Sequence, residues 1–209
     1  ATSVDFAFND GAGSWDNNGG ADWYIAVTGG DPGAGYEMDG SLDPGAELAA
    51  SGAALELYWD FDGEWLYLAT QGAGGGNDHF LLVDRDPAGT RSAPWAKSGT
   101  VAGWEYFLAE EETNGWSGWF DGGENVYSSS SAVQYAGTFL EGALDLSALF
   151  GGVPDSILVA AVAYATPDGG AISDQAPAGD ADGDVEPGEY AVLRLSSTGL
   201  PEWTEPVRL

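Results

Sequence analysis

The chain has 209 residues, with 34 acids against five bases, a net charge of −29, no cysteine and 44% apolar residues. That length and apolar content can fill a core of sandwich size and argue against long-range disorder. The charge excludes nucleic acid and anionic membranes as partners, and the lack of cysteine excludes disulfide frameworks, zinc-thiolate sites and a cysteine nucleophile. A saline habitat and cation binding each account for such acidity, and the two are compatible.

Strand periodicity runs through the sequence, punctuated by Gly, Asp, Asn and Pro, with no amphipathic helix of any length. In chain order the expected strands are Val4–Phe8, Trp23–Val27, Leu55–Phe61, Trp65–Gln71, His79–Asp84, Trp104–Ala109, Gly115–Phe120, Ala132–Tyr135, Thr138–Leu144, Ile157–Ala165 and Tyr190–Ser196. Residues 29–42 read as a long loop. Asp62-Gly63 reads as a hairpin turn, and the two aromatic-rich runs flanking it suit central strands. One helical turn is expected at Asp145–Phe150, capped by Asp145 and ended by Gly151. So many strands with so little helix predict an all-β, antiparallel two-sheet β-sandwich, jelly-roll-like, with long Gly/Asp-rich loops. Residues 1–196 are expected to form one domain and 197–209 an extended tail. No apolar run approaches the ~20 residues that span a bilayer, so no membrane insertion is expected. A start at Ala1 without methionine reads as a processed, secreted or cell-surface chain, although tag removal leaves the same start.

Several segments resemble the accessory β-sandwich domains found beside amylase-type glycosidases. These are the glucodextranase C-terminal-like or DOMON-type domains, related to carbohydrate-binding module family nine. The segments are Met38-Asp-Gly-Ser-Leu-Asp43, Leu57-Tyr-Trp-Asp-Phe-Asp-Gly63-Glu-Trp-Leu-Tyr-Leu68, Asn77-Asp-His-Phe80, Trp95-Ala-Lys-Ser-Gly99, Leu140-Glu-Gly142 and Ala163-Tyr-Ala-Thr-Pro-Asp-Gly169. Their order along residues 36–196 carries the likeness. It implies a sandwich, an extracellular setting and a polysaccharide or oligosaccharide partner, without catalysis.

Three groups of residues could hold a cation, and calcium is the one expected, because it takes six to eight hard oxygens from short acidic side chains and carbonyls. The first is the loop Asp180, Asp182, Asp184, Glu186 and Glu189. It starts like an EF-hand loop and then departs from one, with Val185 at the sixth position. The second is Asp10, Asp16, Asn18 and Asp22, among glycines. The third is the pair Asp39 and Asp43. Each has a plainer reading as a solvated acidic loop or as self-capping turns.

A sugar stacks its C–H face on an exposed ring. Trp15, Trp23, Trp95, Trp116 and Trp119 lie in or near glycine-rich loops and are the platform candidates, each weighed against core packing. Alternation puts Trp116 and Trp119 on opposite faces unless a bulge intervenes. His79 is the only histidine and reads as a structural residue. Glu110-Glu111-Glu112 reads as a solvated edge, and Gly72–Gly76 lacks the Lys of a phosphate loop. No catalytic constellation stands out, so no enzyme is expected. The reading is a calcium-binding carbohydrate-binding module, for which α-glucans are one candidate ligand. The alternative is a surface or filament protein whose self-association needs calcium.

Overall fold

The computed structural model describes residues 35–72, 74–113, 116–127 and 139–195; at 3–6, 8–9, 15–16, 23–26 and 132–135 it describes the backbone strands alone. The strands are β1 (Ser3–Phe6), β2 (Phe8–Asn9), β3 (Trp15–Asp16), β4 (Trp23–Ala26), β5 (Glu47–Ser51), β6 (Glu56–Phe61), β7 (Trp65–Gln71), β8 (Asn77–Asp84), β9 (Arg91–Ser92) and β10 (Thr100–Val101). They continue with β11 (Tyr106–Glu111), β12 (Trp116–Asp121), β13 (Val126–Tyr127), β14 (Ala132–Tyr135), β15 (Phe139–Asp145), β16 (Ser156–Ala165), β17 (Ile172–Ala176) and β18 (Ala191–Arg194). One sheet runs β13-β12-β11-β8-β16-β17, with β18 pairing to the start of β16, and the other runs β14-β15-β7-β6-β5. All pairings in both sheets are antiparallel. The chain is therefore an all-β sandwich. The expected tail 197–209 lies outside the described residues.

The core between the sheets follows from alternation along each strand. Leu66 and Leu68 of β7 face Leu81 and Val83 of β8, Leu108 of β11 and Ile157 and Val159 of β16. Gly142 on β15 is needed for this approach, since a Cβ there would lie 2.7 Å from Leu108 Cδ2 and 2.9 Å from Trp119 Nε1. Burial does not stop at this layer. Phe80, Leu82, Phe107, Phe120, Val162 and Tyr164 cover the outer face of the seven-stranded sheet, beneath Val101, Trp104, Val185 and Tyr190. Tyr67, Ala69 and Phe139 on the outer face of the other sheet lie under Tyr36. An antiparallel sheet buried on both faces loses the polar-out half of its pattern, which is why β8 and β16 read as continuous apolar runs.

The turns are where local sequence decides. Asp62 Oδ1 accepts from the N–H groups of Glu64 and Trp65 at 2.9 and 2.7 Å, and Gly63 takes a φ of 107°. Helix α1 (Leu146–Phe150) starts where Asp145 accepts from the Ala148 N–H at 2.9 Å and ends at Gly151, φ 72°. Two observed strands that the sequence did not announce lie at sheet edges. Strand β5, Glu-Leu-Ala-Ala-Ser, and strand β17, Ile-Ser-Asp-Gln-Ala, carry few β-formers and are held by their neighbours' ladders. Among the described residues no helix is long and apolar enough to cross a membrane.

Asp174 of β17 ties the two sheets together. Its carboxylate accepts from the N–H groups of Ala53, Ala54 and Leu55 at 2.9, 2.7 and 2.7 Å, and from its neighbour Gln175 at 2.9 Å. Burial alone would raise its pKa, but these donors outweigh that and hold it below the usual value. A depressed folded pKa adds stability above the unfolded pKa and loses it as pH falls through the folded one. Asp174→Asn should therefore cost about 1–2 kcal/mol in urea unfolding at pH 7. The gap to the unsubstituted chain should narrow as the pH drops below about 4.

Candidate ligand platform and acidic loop

The segment joining β9 to β10 lies across the outer face of the seven-stranded sheet and carries Trp95. Trp95 and Ala96 both sit in the left-handed region, at φ 54° and 53°, a conformation that costs a non-glycine residue about 1–3 kcal/mol. What holds the segment there is the next residue. Lys97 Nζ pairs with Asp78 Oδ2 at 2.7 Å, with side chains 2% and 3% exposed, and donates to the carbonyls of Ala165, Thr166 and Pro167 at 3.0, 2.6 and 3.3 Å. Asp78 Oδ1 in turn accepts from the Glu112 N–H at 3.1 Å. A buried ammonium with four acceptors is satisfied, so the pair fixes geometry rather than leaving a charge stranded. Gly169 N–H to Ala96 O and Ser98 N–H to Gly170 O complete the anchorage.

So placed, the half-buried Trp95 ring meets Phe80 and Phe120 edge-on at 5.1 and 5.3 Å. Its other neighbour is Trp116, with centroids 6.2 Å apart and planes at 46°. Trp116 stands at the start of β12 on the same outer face and is 41% exposed. It lies along its own strand, since a Cβ on Gly118 would be 2.7 Å from its ring. Carboxylates border the pair: Glu124 Oε2 accepts from the Trp95 N–H at 3.3 Å, and Glu111 is opposite Trp116 in the ladder.

The other platform candidates fall elsewhere. Trp119 requires a correction. It is 1% exposed and packs between the sheets, because β12 is unbulged here and alternation turns position 119 inward when 116 faces out. Trp15 and Trp23 lie on β3 and β4, whose side chains are outside the described residues.

In the acidic loop, Asp180, Asp182 and Glu186 are exposed, and one carboxylate oxygen from each lies within 4.8 Å of the others. These three could hold a cation. Asp184 and Glu189 act as ties instead. Asp184 accepts from Thr100 N–H at 2.6 Å. Glu189 accepts from the N–H groups of Asp180 and Glu186 at 2.9 and 3.0 Å and from Gln175 Nε2 at 3.1 Å. The Glu186 carboxyl is pushed up to about 7, chiefly by its contact with the Glu189 carboxyl. A hollow of about 280 Å³ beside the loop is lined by Ser173, Gln175 and Gly179 and has no aromatic wall. It therefore lacks a surface for stacking. Asp10, Asn18 and Asp22 lie outside the described residues, as does the side chain of Asp16. Asp39 Oδ1 accepts from Ser41 N–H at 2.9 Å, and Gly40 N–H donates to the buried Glu141 at 2.6 Å. That turn serves as a cover for the five-stranded sheet.

The loop and the tryptophan segment are one mechanical unit. Val185 N–H donates to Thr100 O and Ala102 N–H to Val185 O, at 2.9 and 2.7 Å, and Val101 bridges Val185 in parallel. Gly99 lets the backbones meet, for a Cβ there would lie 2.1 Å from Gly183 O. Sequence reasoning missed the Lys97–Asp78 pair. Its signal was a lone lysine in an apolar Pro-Trp-Ala setting of a chain with five bases. Lys97→Met should cost about 3–5 kcal/mol by stranding Asp78, read by urea unfolding, and should free Trp95, read as a red-shifted, more quenchable fluorescence. No family model, curated protein or solved structure matches this chain, and its role is read from its own residues.

Proposed function

We propose that the chain is a non-catalytic, calcium-binding carbohydrate-binding domain whose platform is Trp95 and Trp116. The observation that carries this reading is the exposed Trp116 ring beside a Trp95 held in a strained backbone by a buried ion pair. Strain kept in place by a buried clamp marks positions where geometry matters to function. Flat rings bordered by Glu111 and Glu124 offer what a sugar needs, a stacking face with hydroxyl acceptors at its rim. Calcium at Asp180, Asp182 and Glu186 would brace the loop that pairs with the Trp95 segment. The acidity and the loop fit a secreted or cell-surface setting.

Affinity electrophoresis through starch, glycogen, cellulose and xylan gels, with calcium present, tests the ligand class. Retardation in at least one gel is expected. Trp116→Ala should weaken it about tenfold, or ~1.4 kcal/mol, with an unchanged melting temperature. Free migration in every gel would remove the reading. Chelation should lower the melting temperature by roughly 5–10 °C, given about 2.7 kcal/mol from a cation at 100 times its Kd and ~2–4 °C per kcal/mol for a chain of this size. It should also weaken retention.

A second reading, calcium-dependent self-association, draws on Leu48 and Val192, 52% and 55% exposed on the neighbouring edge strands β5 and β18. Unpaired edges carrying apolar residues invite strand addition. Light scattering in calcium and then in chelator decides it: a calcium-dependent rise in mass supports assembly, and a monomer in both removes it.

A further inference from the structure

Residues that the platform does not use converge at one end of the inter-sheet core: the single histidine, Glu110 and Glu112 of the acidic run, and Gly76. Glu110 is directly opposite His79 in the β11–β8 ladder. By alternation from Leu108 and Leu81, both side chains point between the sheets. Glu110 is 0% and His79 1% exposed. Thr70 of β7, 1% exposed, faces the same layer. Its level follows from packing: Tyr106 of β11 meets Phe150 of α1, and Gly142 meets Leu108. The next pair along, Leu140 with Thr70, therefore reaches the level of Glu110.

Both carboxylate oxygens of Glu110, both ring nitrogens of His79 and the Thr70 hydroxyl lack a hydrogen-bond partner. Leaving one such group dry costs about 1–3 kcal/mol, and several together call for an occupant. Desolvation pushes the Glu110 carboxyl up to about 8, with Glu112 and Asp78 adding to it. The end is closed by Glu112, whose Oε1 accepts from Gly76 N–H at 3.3 Å.

We propose that His79 and Glu110 form a buried site for one divalent cation of the zinc or cobalt class, completed by the Thr70 hydroxyl and water. Directly opposed residues place their Cβ atoms about 5 Å apart, so an imidazole nitrogen and a carboxylate oxygen can meet on an ion at about 2.0–2.2 Å. A nitrogen and oxygen donor set favours such an ion over calcium. The site is separate from the acidic loop and does not depend on the glycan reading.

Because the chain has one histidine, nitrogen ligation reports this site alone. The tag-free, calcium-saturated protein is titrated with Co2+ and with Zn2+ and read by X-ray absorption and by ring 15N shifts of His79. One equivalent with one imidazole ligand is expected, and it should be lost in His79→Gln and in Glu110→Gln. Oxygen-only ligation in the unsubstituted chain, with His79 unshifted, overturns the proposal, as does binding that both variants retain. The unsubstituted chain decides the matter by itself where a variant does not fold.

Discussion

The outer face of the seven-stranded sheet is apolar, and something must cover it. Phe80, Phe107, Phe120 and Tyr164 would otherwise present a large aromatic patch to water. The cover is not a helix but two irregular segments, the one that carries Trp95 and the one that ends in the acidic loop. Irregular backbone buried over a sheet must find partners for its polar groups. Lys97 anchors the first segment, donating to three carbonyls at the end of β16 and the turn after it while pairing with Asp78 on the sheet below. That contact determines where the indole of Trp95 stands, and through it which ring faces meet solvent beside Trp116.

The same requirement links charge to shape. A chain of net charge −29 repels itself at every acidic turn, yet its carboxylates are not spread evenly in role. Asp174, Asp184 and Glu189 are consumed by backbone N–H groups and pin loops. Asp180, Asp182 and Glu186 face one another at the surface, where Asp180 and Asp182 accept only from N–H groups two residues further along the loop. A cation among them would stiffen a loop already hydrogen-bonded to residues 100–102. On that account, metal and ligand act on a single framework, with the ion setting the rigidity of the aromatic surface rather than touching the sugar.

The sandwich was legible because its central strands are long and rich in aromatic and branched residues, and because Asp62-Gly63 and Asp145 with Gly151 act through local chemistry. Strands β5 and β17 were not legible, since Ala, Ser, Asp and Gln become strand only through neighbouring ladders. Among the candidate residues, alternation puts Trp116 and Trp119 on opposite faces but does not say which faces out, and only the packing of Trp119 between the sheets decides that. The acidic loop was visible as a cluster, but which acids converge depends on Asp184 being drawn off by the N–H of Thr100, far away in sequence, and on Glu189 turning back onto Asp180, Glu186 and Gln175. Lys97 with Asp78, and His79 with Glu110, were illegible for the same reason. Lys97 reaches Asp78 from a loop laid over the sheet, His79 stands opposite Glu110 in a ladder, and a single sequence carries neither the path of the loop nor the register.

The central claim is that two particular rings form a rigid, exposed surface for a glycan. The most direct measurement is the pair of indole N–H resonances of Trp95 and Trp116, followed while soluble gluco- and xylo-oligosaccharides are titrated into the calcium-loaded protein. The account predicts saturable shifts of both, with the Trp119 resonance unmoved. Two unperturbed resonances across the whole series, or shifts confined to other tryptophans, would contradict it.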